Sequence, residues 1–426
     1  MLDLCCTATA CLVKVRTLLR NSYSRLMPPR HGRHRLDLGT AVKIFQILPR
    51  RMRFSRIRAS SVELCVSEWV GGSRFRDQTT VFAEAGSDPL VDVAVHRWQP
   101  AERGVSWQTA LEIRREAARR GCDLIIVQQH IATAARIARF NSNIPVILST
   151  HNYVERAATT FPRTLRNLLV QQRLRRLGGI TLISEATRQD FAENWPGVQI
   201  PRAVVSNGFD FSAWQPRAQR DRLILVVGRA TEEKGLLEAA QGIATFLADH
   251  ADWKAALVLS EAERNPAYSQ AIRAALAPCA ERAELLSGIP YAEVRSLSER
   301  SAIAIVPSKW NEPFGRTALE AHAGGAALIS SGTGGLREIS GESAVYLRSV
   351  NGPAIDEALR DLSADEDLRQ SLARSGADRV RNLFRISGPS GSSEAVPSIC
   401  ERLDRFCENV VARSHGFPPR EEGGSP

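Results

Sequence analysis

Two glutamates separated by seven residues dominate the polar segment 307–321, Pro-Ser-Lys-Trp-Asn-Glu-Pro-Phe-Gly-Arg-Thr-Ala-Leu-Glu-Ala. Between Glu312 and Glu320 lies a turn at residues 314–317, which we expect to open a helix after a strand at residues 302–306. The unpaired N–H groups and the positive dipole end of such a turn bind anions. Carboxylates accept hydrogen bonds from sugar and ribose hydroxyls, so the arrangement suits a glycosyl diphosphate. A capping carboxylate on a solvated helix face is the alternative.

Two further loops carry residues of the same kind. Residues 227–235 follow a predicted strand and contain Arg229 and Lys234, which could reach diphosphate oxygens. Taken alone, these two cations are better explained as side chains of a solvated loop that pair with the neighbouring Glu232 and Glu233. Residues 330–338 contain Gly334 and Gly335 after another strand, but glycines also make ordinary turns. His151 closes a predicted strand at residues 145–149 and could be catalytic or merely hydrogen-bonded.

The elements that position these loops are predicted to be α/β. Apolar runs of strand length alternate with helical stretches, which indicates parallel sheets covered on both faces. The first-half strands are expected at residues 44–48, 79–82, 123–127, 145–149, 180–184 and 203–206. The second-half strands are expected at residues 223–227, 256–260, 284–286, 302–306, 327–330 and 344–347. Two doubly wound Rossmann-like domains of this kind face a central cleft at the carboxyl ends of their strands, where ligands bind.

The domain limits follow from breaks in this pattern. Residues 1–40 are basic and lack periodicity, so we expect a disordered extension that is dispensable for the fold. Residues 41–206 form the first domain, residues 207–222 a linker, and residues 223–386 the second domain. A helix at residues 399–413 is expected to pack back on the first domain, before a polar tail at residues 414–426.

Composition excludes several classes of protein. No apolar run approaches the ~18 residues of a membrane span. The eight cysteines lack paired spacing, which argues against a disulfide framework or a zinc ribbon and fits a reducing cytoplasm. The net charge of +10 is concentrated in residues 1–60, where thirteen Lys and Arg oppose two acidic residues. The remaining 366 residues carry a net charge of −1, so a nucleic-acid binder is disfavoured.

The order of these motifs resembles the retaining glycosyltransferases of family 4, which have the GT-B fold. The resemblance spans about residues 41–385 and is strongest over residues 180–347. It is carried by His151, the Ser184-Glu185 turn, Ser206-Asn207-Gly208, Gly228-Arg229 with Lys234-Gly235, Glu312 with Glu320, and Gly334-Gly335-Leu336-Arg337-Glu338.

The resemblance implies roles for individual residues. Arg229 and Lys234 would hold the diphosphate of a UDP- or GDP-sugar, helped by the backbone amides of Gly315, Arg316 and Thr317. Glu312 would contact the transferring sugar, and Glu320 the ribose hydroxyls.

The resemblance also implies a mechanism. His151 would lie over the sugar and the β-phosphate, and the departing phosphate would assist the acceptor hydroxyl. No cofactor or bound metal is expected, and the Asp365-x-Asp367 sequence is discounted because it falls on a predicted surface helix.

One departure from the family concerns the loop after the first strand. Where relatives often have two glycines, residues 50–58 contain five arginines, among them Arg50, Arg51 and Arg53. We expect these to face an anionic acceptor or an anionic membrane, and a solvated basic loop is an equal alternative.

The sequence as a whole predicts a cytoplasmic glycosyltransferase that acts on a glycan or lipid-linked acceptor in polysaccharide or lipopolysaccharide biosynthesis. Attachment to the inner face of the plasma membrane is compatible with this prediction. A sugar-nucleotide epimerase, a phosphorylase and a non-catalytic nucleotide-sugar or glycan-binding module stay open, because fold alone does not fix the reaction.

Overall fold

Two parallel β-sheets organise the chain. The structure, a computed structural model, describes residues 42–49, 51–55, 60–84, 89–98, 105–156, 161–388 and 396–418. The predicted extension at residues 1–40 and the end of the predicted tail, residues 419–426, lie outside this range. Strands such as Leu124–Gln128 and Ser301–Val306 are buried along their whole length, as expected for a parallel sheet covered on both faces.

The first sheet has seven strands in the order β3-β2-β1-β4-β5-β6-β7. Its strands are β1 Ile44–Ile47, β2 Thr79–Glu84, β3 Ala94–Trp98, β4 Leu124–Gln128, β5 Val146–Ser149, β6 Gly179–Leu182 and β7 Arg202–Val204. The helices between them are α1 Ser61–Gly72, α2 Val105–Arg120, α3 Ile131–Phe140, α4 Phe161–Leu174 and α5 Glu185–Asn194. From β1 the chain adds strands toward one edge of the sheet as far as β3, and from β4 it adds them toward the other edge. The parallel neighbours β1 and β4 therefore mark the switch point, where a crevice forms at the carboxyl ends of the strands.

The second sheet has six strands in the order β10-β9-β8-β11-β12-β13. Its strands are β8 Asp221–Arg229, β9 Lys254–Ser260, β10 Ala283–Ser287, β11 Ser301–Val306, β12 Ala327–Ser330 and β13 Ala344–Tyr346. The helices are α6 Leu236–Asp249, α7 Pro266–Leu276, α8 Tyr291–Arg300, α9 Arg316–Gly324, α10 Leu336–Ser340, α11 Gly352–Ala364 and α12 Glu366–Leu383. The prediction of two doubly wound Rossmann-like domains is therefore confirmed.

The structure contains one strand, β3, that the sequence did not predict. Strand β3 lies at the edge of the first sheet, pairs only with β2 and is partly exposed, with His96 and Arg97 in its middle. An edge strand does not need a continuous apolar run, so hydrophobicity alone does not reveal it.

The last described helix, α13 Ile399–Ser414, packs on the first domain. It begins at a capping box in which Ser398 accepts from the amide of Glu401, directly after the Gly/Pro/Ser-rich segment. Asp404 accepts from the Ser73 hydroxyl at 2.5 Å and from the Arg74 amide at 2.9 Å, which ties α13 to the end of α1. Cys400 and Cys407 are buried in the same hydrophobic cluster as Trp69.

The two domains are joined where the chain crosses twice. Phe209, in the segment leading to β8, pairs in parallel with Arg385, in the segment returning from α12. Within the described ranges, the helices include none that is long and apolar enough to cross a membrane.

Candidate active site

Three loops at the carboxyl ends of neighbouring strands β8, β11 and β12 converge. The Lys309 amide donates to the Glu233 carbonyl at 2.8 Å, which joins the β11 loop to the β8 loop. The Thr333 hydroxyl donates to the Trp310 carbonyl at 2.7 Å, which joins the β12 loop to the β11 loop. The three polar segments read from the sequence therefore form one surface.

Glycine permits this convergence at two positions. Gly235 has φ of 67°, and a Cβ there would lie 2.0 Å from the Pro307 carbonyl oxygen. Gly334 has φ of 57°, and a Cβ there would lie 2.2 Å from the Glu312 carbonyl oxygen. Only glycine combines the left-handed conformation with this close approach of two backbones.

Lys234 and Glu312 form a largely buried ion pair. The Lys234 Nζ atom lies 2.5 Å from Glu312 Oε1, and the two side chains are 18% and 8% exposed. The Ser308 hydroxyl donates to the same carboxylate oxygen at 2.8 Å. Lys234 also lies over the Trp310 ring, 5.2 Å from its centroid. The geometry brings together the predicted phosphate ligand and the predicted sugar ligand.

Arg229 is placed differently from Lys234. Its guanidinium donates to Glu233 Oε1 at 3.0 Å, and both side chains are more than 40% exposed. This is the solvated pairing that the sequence left open as an alternative. Arg229 still stands at the end of β8, on the loop that carries Lys234.

The N-terminus of α9 supplies backbone donors beside this pair. Gly315 caps the helix in the left-handed region, with φ of 103°, and the amides of Arg316 and Thr317 lie in the first turn. The dipole of a nine-residue helix favours an anion at this end.

The Arg316 side chain contacts residues of both domains. Its Nη2 atom donates to Glu68 of α1 at 3.1 Å, and its Nε atom donates to Glu320 at 3.1 Å. The guanidinium also lies over the Phe209 ring, at 4.6 Å. Arg316 therefore links the two domains with its side chain, which leaves its backbone amide as the group suited to an anion.

Glu320 lies one helical turn beyond Arg316. Tyr291, at the start of α8, donates its hydroxyl to Glu320 Oε1 at 2.9 Å. Burial raises the pKa of Tyr291, and the nearby Glu320 carboxylate raises it further, so the phenol stays a donor. The carboxylate is thus oriented by Tyr291 and Arg316.

His151 lies across the cleft, just after β5. Its Nε2 atom lies 2.9 Å from Gln128 Oε1, and the Gln128 amide nitrogen donates to Gln46 Oε1 at 2.9 Å. Burial lowers the pKa of His151 to about 4, so the ring is neutral. Because the Gln128 amide group already donates to Gln46, its oxygen accepts the Nε2–H of His151. The ring stacks on Trp69 at 5.2 Å, and its Nδ1 atom is left as an acceptor.

Contacts across the cleft hold the two halves of the site together. The Ser184 hydroxyl donates to the Pro313 carbonyl at 2.5 Å, and the Tyr153 hydroxyl donates to the Glu312 carbonyl at 3.4 Å. Glu338 accepts from the Glu185 amide at 2.8 Å, so it caps the N-terminus of α5.

The predicted acceptor loop is described only in part. Arg50 lies outside the described residues, and Arg51 and Arg53 are exposed. The Arg51 amide donates to Glu84 at 2.9 Å, and Arg53 accepts a hydrogen bond from Arg97 through its carbonyl. These contacts fix the loop backbone and leave the two arginine side chains toward solvent.

No group of three metal-binding side chains occurs among the residues that the structure describes. Asp365 of the Asp-x-Asp sequence accepts from the Leu368 amide at 2.8 Å, so it caps α12.

Comparison with protein families gives a match for each half of the chain. Residues 72–213 match the family model Glycosyltransferase Family 4, and residues 210–379 match Glycosyl transferases group 1. A sucrose-phosphate synthase from Thermosynechococcus elongatus superposes with a TM-score of 0.62 at 17% identity, covering 80% of this chain and 95% of that one. Anabaena HepE in complex with UDP and glucose superposes with a TM-score of 0.63 at 16% identity, covering 81% and 96%. This chain has the GT-B fold.

Curated relatives of this GT-B chain include proteins named as glycosyltransferases. A glycogen synthase of Mycobacterium tuberculosis is 28% identical over 224 residues, which is 51% of this chain and 53% of that protein. The putative glycosyltransferase YtcC of Bacillus subtilis is 23% identical over 329 residues, or 70% and 75% of the two chains. The mannosyltransferase LpcC of Rhizobium leguminosarum is 24% identical over 214 residues, or 47% and 60%. The match to the first of these relatives covers about half of its length.

Three residues of the site and the role of a fourth did not follow from the sequence motifs. The three residues are Glu68, Gln128 and Tyr291; Glu338 belongs to a sequence motif, but its contact with the Glu185 amide at the start of α5 was not predicted. Gln128 offered one signal, because a polar residue ends an otherwise apolar strand, Leu-Ile-Ile-Val-Gln. Glu68 and Tyr291 are ordinary surface-type residues in helices, so no local pattern marks them.

Proposed function

We propose that this GT-B chain is a hexosyltransferase-type enzyme that moves a sugar from a nucleotide-diphosphate donor to an acceptor hydroxyl with retention of anomeric configuration. The observation that carries the proposal is the junction of Lys234, Glu312 and the N-terminus of α9. One cation, one carboxylate and the backbone amides of the first turn of α9 lie there, and Glu320 follows one turn further along the same helix.

The donor would bind in the second domain. Lys234 and the amides of Arg316 and Thr317 would contact the diphosphate, and Arg229 could swing from Glu233 to join them because both side chains are exposed. Glu312 would then turn from Lys234 toward sugar hydroxyls, and Glu320 would accept from the ribose. This positive charge is the reason we expect turnover without a resident metal. HepE, a structural neighbour, is described in complex with UDP and glucose, which supports a nucleotide-sugar donor.

The chemical step would use the leaving group itself. As the bond between the anomeric carbon and the phosphate oxygen breaks, the departing phosphate would take the proton of the acceptor hydroxyl, which attacks the same face. The neutral His151 can accept a hydrogen bond at Nδ1 from the sugar or the acceptor, and it adds no charge beside the phosphate. Electrostatic stabilisation of the developing phosphate charge is then the main contribution of the protein.

The acceptor would lie on the first domain and is proposed to be a glycan or a lipid-linked sugar of the cell envelope, used on the cytoplasmic side. The mannosyltransferase LpcC, named for lipopolysaccharide core biosynthesis, supports this class of acceptor. Arg51 and Arg53 remain candidates for contacts with an anionic acceptor.

A thermal-shift panel of UDP-, GDP- and ADP-sugars tests the donor assignment. A donor at 100 times its dissociation constant adds ~2.7 kcal/mol to the free energy of unfolding. Stabilisation by one donor, followed by slow hydrolysis that first yields the sugar in the anomeric configuration of that donor, is the expected result. No stabilisation by any nucleotide sugar would overturn the proposal, and stable binding without any transfer or hydrolysis would favour a binding module.

A further inference from the structure

Helix α4 presents an apolar strip to solvent. Leu165, Leu168 and Leu169 are 57%, 52% and 46% exposed, whereas Asn167 and Leu174 of the same helix are buried. The spacing of the three leucines, i, i+3 and i+4, places them on one face of the helix. Within the part of the chain that the structure describes, no other element covers this strip.

Arginines border the leucines along one edge of α4 and follow the end of the helix. At 100° per residue, Arg166 and Arg173 fall on one edge of the strip, and Arg175 and Arg176 follow directly after the last helical residue, Leu174. Arg166, Arg175 and Arg176 are exposed, and Arg173 is half-buried. We call the three leucines and these four arginines the Leu–Arg face.

The charge of the surrounding sequence is one-sided. Residues 124–184 contain eight arginines and a single acidic residue, Glu155. None of Arg166, Arg173 and Arg176 forms an ion pair with another described residue. The net charge of residues 61–426 is nevertheless close to zero, because acidic residues elsewhere in that span balance the positive charge of residues 124–184.

An amphipathic helix with exposed leucines beside arginines matches the interface of an anionic bilayer. The leucines would enter the boundary between head groups and acyl chains, and the long arginine side chains would reach the phosphates. Two other occupants fit the charge less well. A second copy of this chain would bring arginines against arginines, and residues 1–60 are themselves strongly basic.

The position of this face relates it to the candidate active site. A groove lined by Gln129, His130, Leu165, Leu169 and Arg173 runs between the start of α3 and α4. Gln129 is the neighbour of Gln128, which holds His151. The groove therefore leads from the Leu–Arg face toward the carboxyl edge of the first sheet, on the predicted acceptor side.

We propose that the Leu–Arg face of α4 seats the protein on an anionic phospholipid surface, so that a lipid-linked acceptor enters the cleft from the groove beside α4. The link to an acceptor rests on the proposed function. The membrane contact itself is a separate property and is tested without any substrate.

Sedimentation of the full chain with vesicles is the test. Wild-type protein is expected to bind vesicles of phosphatidylcholine with phosphatidylglycerol, and to bind pure phosphatidylcholine vesicles at least about tenfold more weakly, since each basic residue near an anionic surface contributes ~1 kcal/mol. Replacing Leu165, Leu168 and Leu169 together with Ser should lower the partition onto anionic vesicles at least about tenfold. The matched control Leu368→Ser changes a leucine that is 41% exposed on α12 of the second domain, and it should bind as wild type does.

A second pair of variants separates charge from apolar contact. Arg166→Gln with Arg173→Gln should weaken binding to anionic vesicles and reduce its dependence on salt, because exposed charges are screened over ~10 Å at 0.1 M salt. The charge-matched control, Arg348→Gln with Arg374→Gln, changes exposed arginines of the second domain and should have no effect on binding. Circular dichroism of each variant checks that the fold is kept.

Three outcomes would overturn the membrane proposal. The first is that the wild-type protein does not bind anionic vesicles, and the second is that the triple leucine variant binds them as the wild type does. The third is that the wild-type protein is a dimer in solution and the leucine substitutions dissociate it. The last result would assign the face to a second copy instead. Donor binding in the thermal-shift panel is measured without vesicles, so either proposal can fail while the other stands.

Discussion

The Lys234–Glu312 ion pair can be tested by removing each partner and then both. Lys234→Met removes the cation and keeps most of the apolar volume of the side chain, and Glu312→Gln keeps the shape while removing the charge. In the structure the two side chains are 18% and 8% exposed and 2.5 Å apart. We therefore expect Lys234 to matter for the stability of the protein as well as for the donor.

The magnitude follows from burial. Breaking a buried ion pair by removing one partner costs about 3–5 kcal/mol, since the remaining charge is left uncompensated. The Ser308 hydroxyl still donates to Glu312, and about a fifth of the Lys234 side chain is exposed to water, so we expect a loss just below that range, about 2–3 kcal/mol, for Lys234→Met. Glu312→Gln should cost about 1 kcal/mol because an amide oxygen can still accept from Lys234 and Ser308.

Urea unfolding of the two single variants and the double variant forms a double-mutant cycle. The double variant should lose at least about 1 kcal/mol less than the sum of the single losses, because Met and Gln together leave no buried charge. Additive losses would refute the conclusion that the two side chains act as a pair.

Arg229→Met is the matched control. Its pair with Glu233 is exposed and lies on one short loop, so its removal should change the free energy of unfolding by less than about 0.5 kcal/mol. Both Lys234→Met and Arg229→Met should nevertheless lower donor affinity or turnover at least about tenfold, since charge-assisted hydrogen bonds contribute about 1.5–3 kcal/mol each. Normal kinetics for both variants would remove these two residues from the site.

Three further predictions concern side chains around the cleft. Gln128→Leu removes the acceptor for His151 Nε2–H and should lower kcat about tenfold while calorimetry finds nucleotide diphosphate binding unchanged; weaker nucleotide binding would place His151 in the nucleotide site. Glu320→Gln should weaken binding of the nucleotide diphosphate, and Tyr291→Phe should weaken it about threefold to tenfold, because one orienting hydrogen bond contributes about 0.5–1.5 kcal/mol; unchanged calorimetry for both would exclude a ribose contact. Burial lowers the pKa of His322 to about 4, so the unfolded chain takes up a proton that the folded chain does not, and this residue costs about 2 kcal/mol of stability between about pH 7 and about pH 5. His322→Gln should remove that share of the acid destabilisation in urea unfolding, and an unchanged difference between the two pH values would contradict the assignment.

The sequence by itself determined the positions of most strands along the chain and the three polar loops of the second domain. Apolar runs mark strands that are buried on both faces, and glycines mark places where two backbones approach closely. Both signals are local, because hydrophobic burial and the left-handed conformation act on the residue that carries them. For that reason Lys234, Glu312 and the start of α9 could be placed at one edge of a sheet in advance.

Only the tertiary structure decided which charges are paired and which are free. Lys234 and Arg229 are cations on one loop, yet one is buried against Glu312 and the other is solvated beside Glu233. Arg316 reaches Glu68, which lies 248 residues away in the chain. The sequence does not contain these distances, because they arise when two domains and several loops pack together.

The same reason applies to the exposed face of α4. Its leucines carry the spacing of a helix that packs into a core, and the sequence alone gives no ground for expecting them in solvent. Whether an apolar strip is buried depends on the elements placed beside it, and those are fixed by the order of strands in the sheet. Burial is a property of the whole fold, whereas hydrophobic periodicity is a property of one segment.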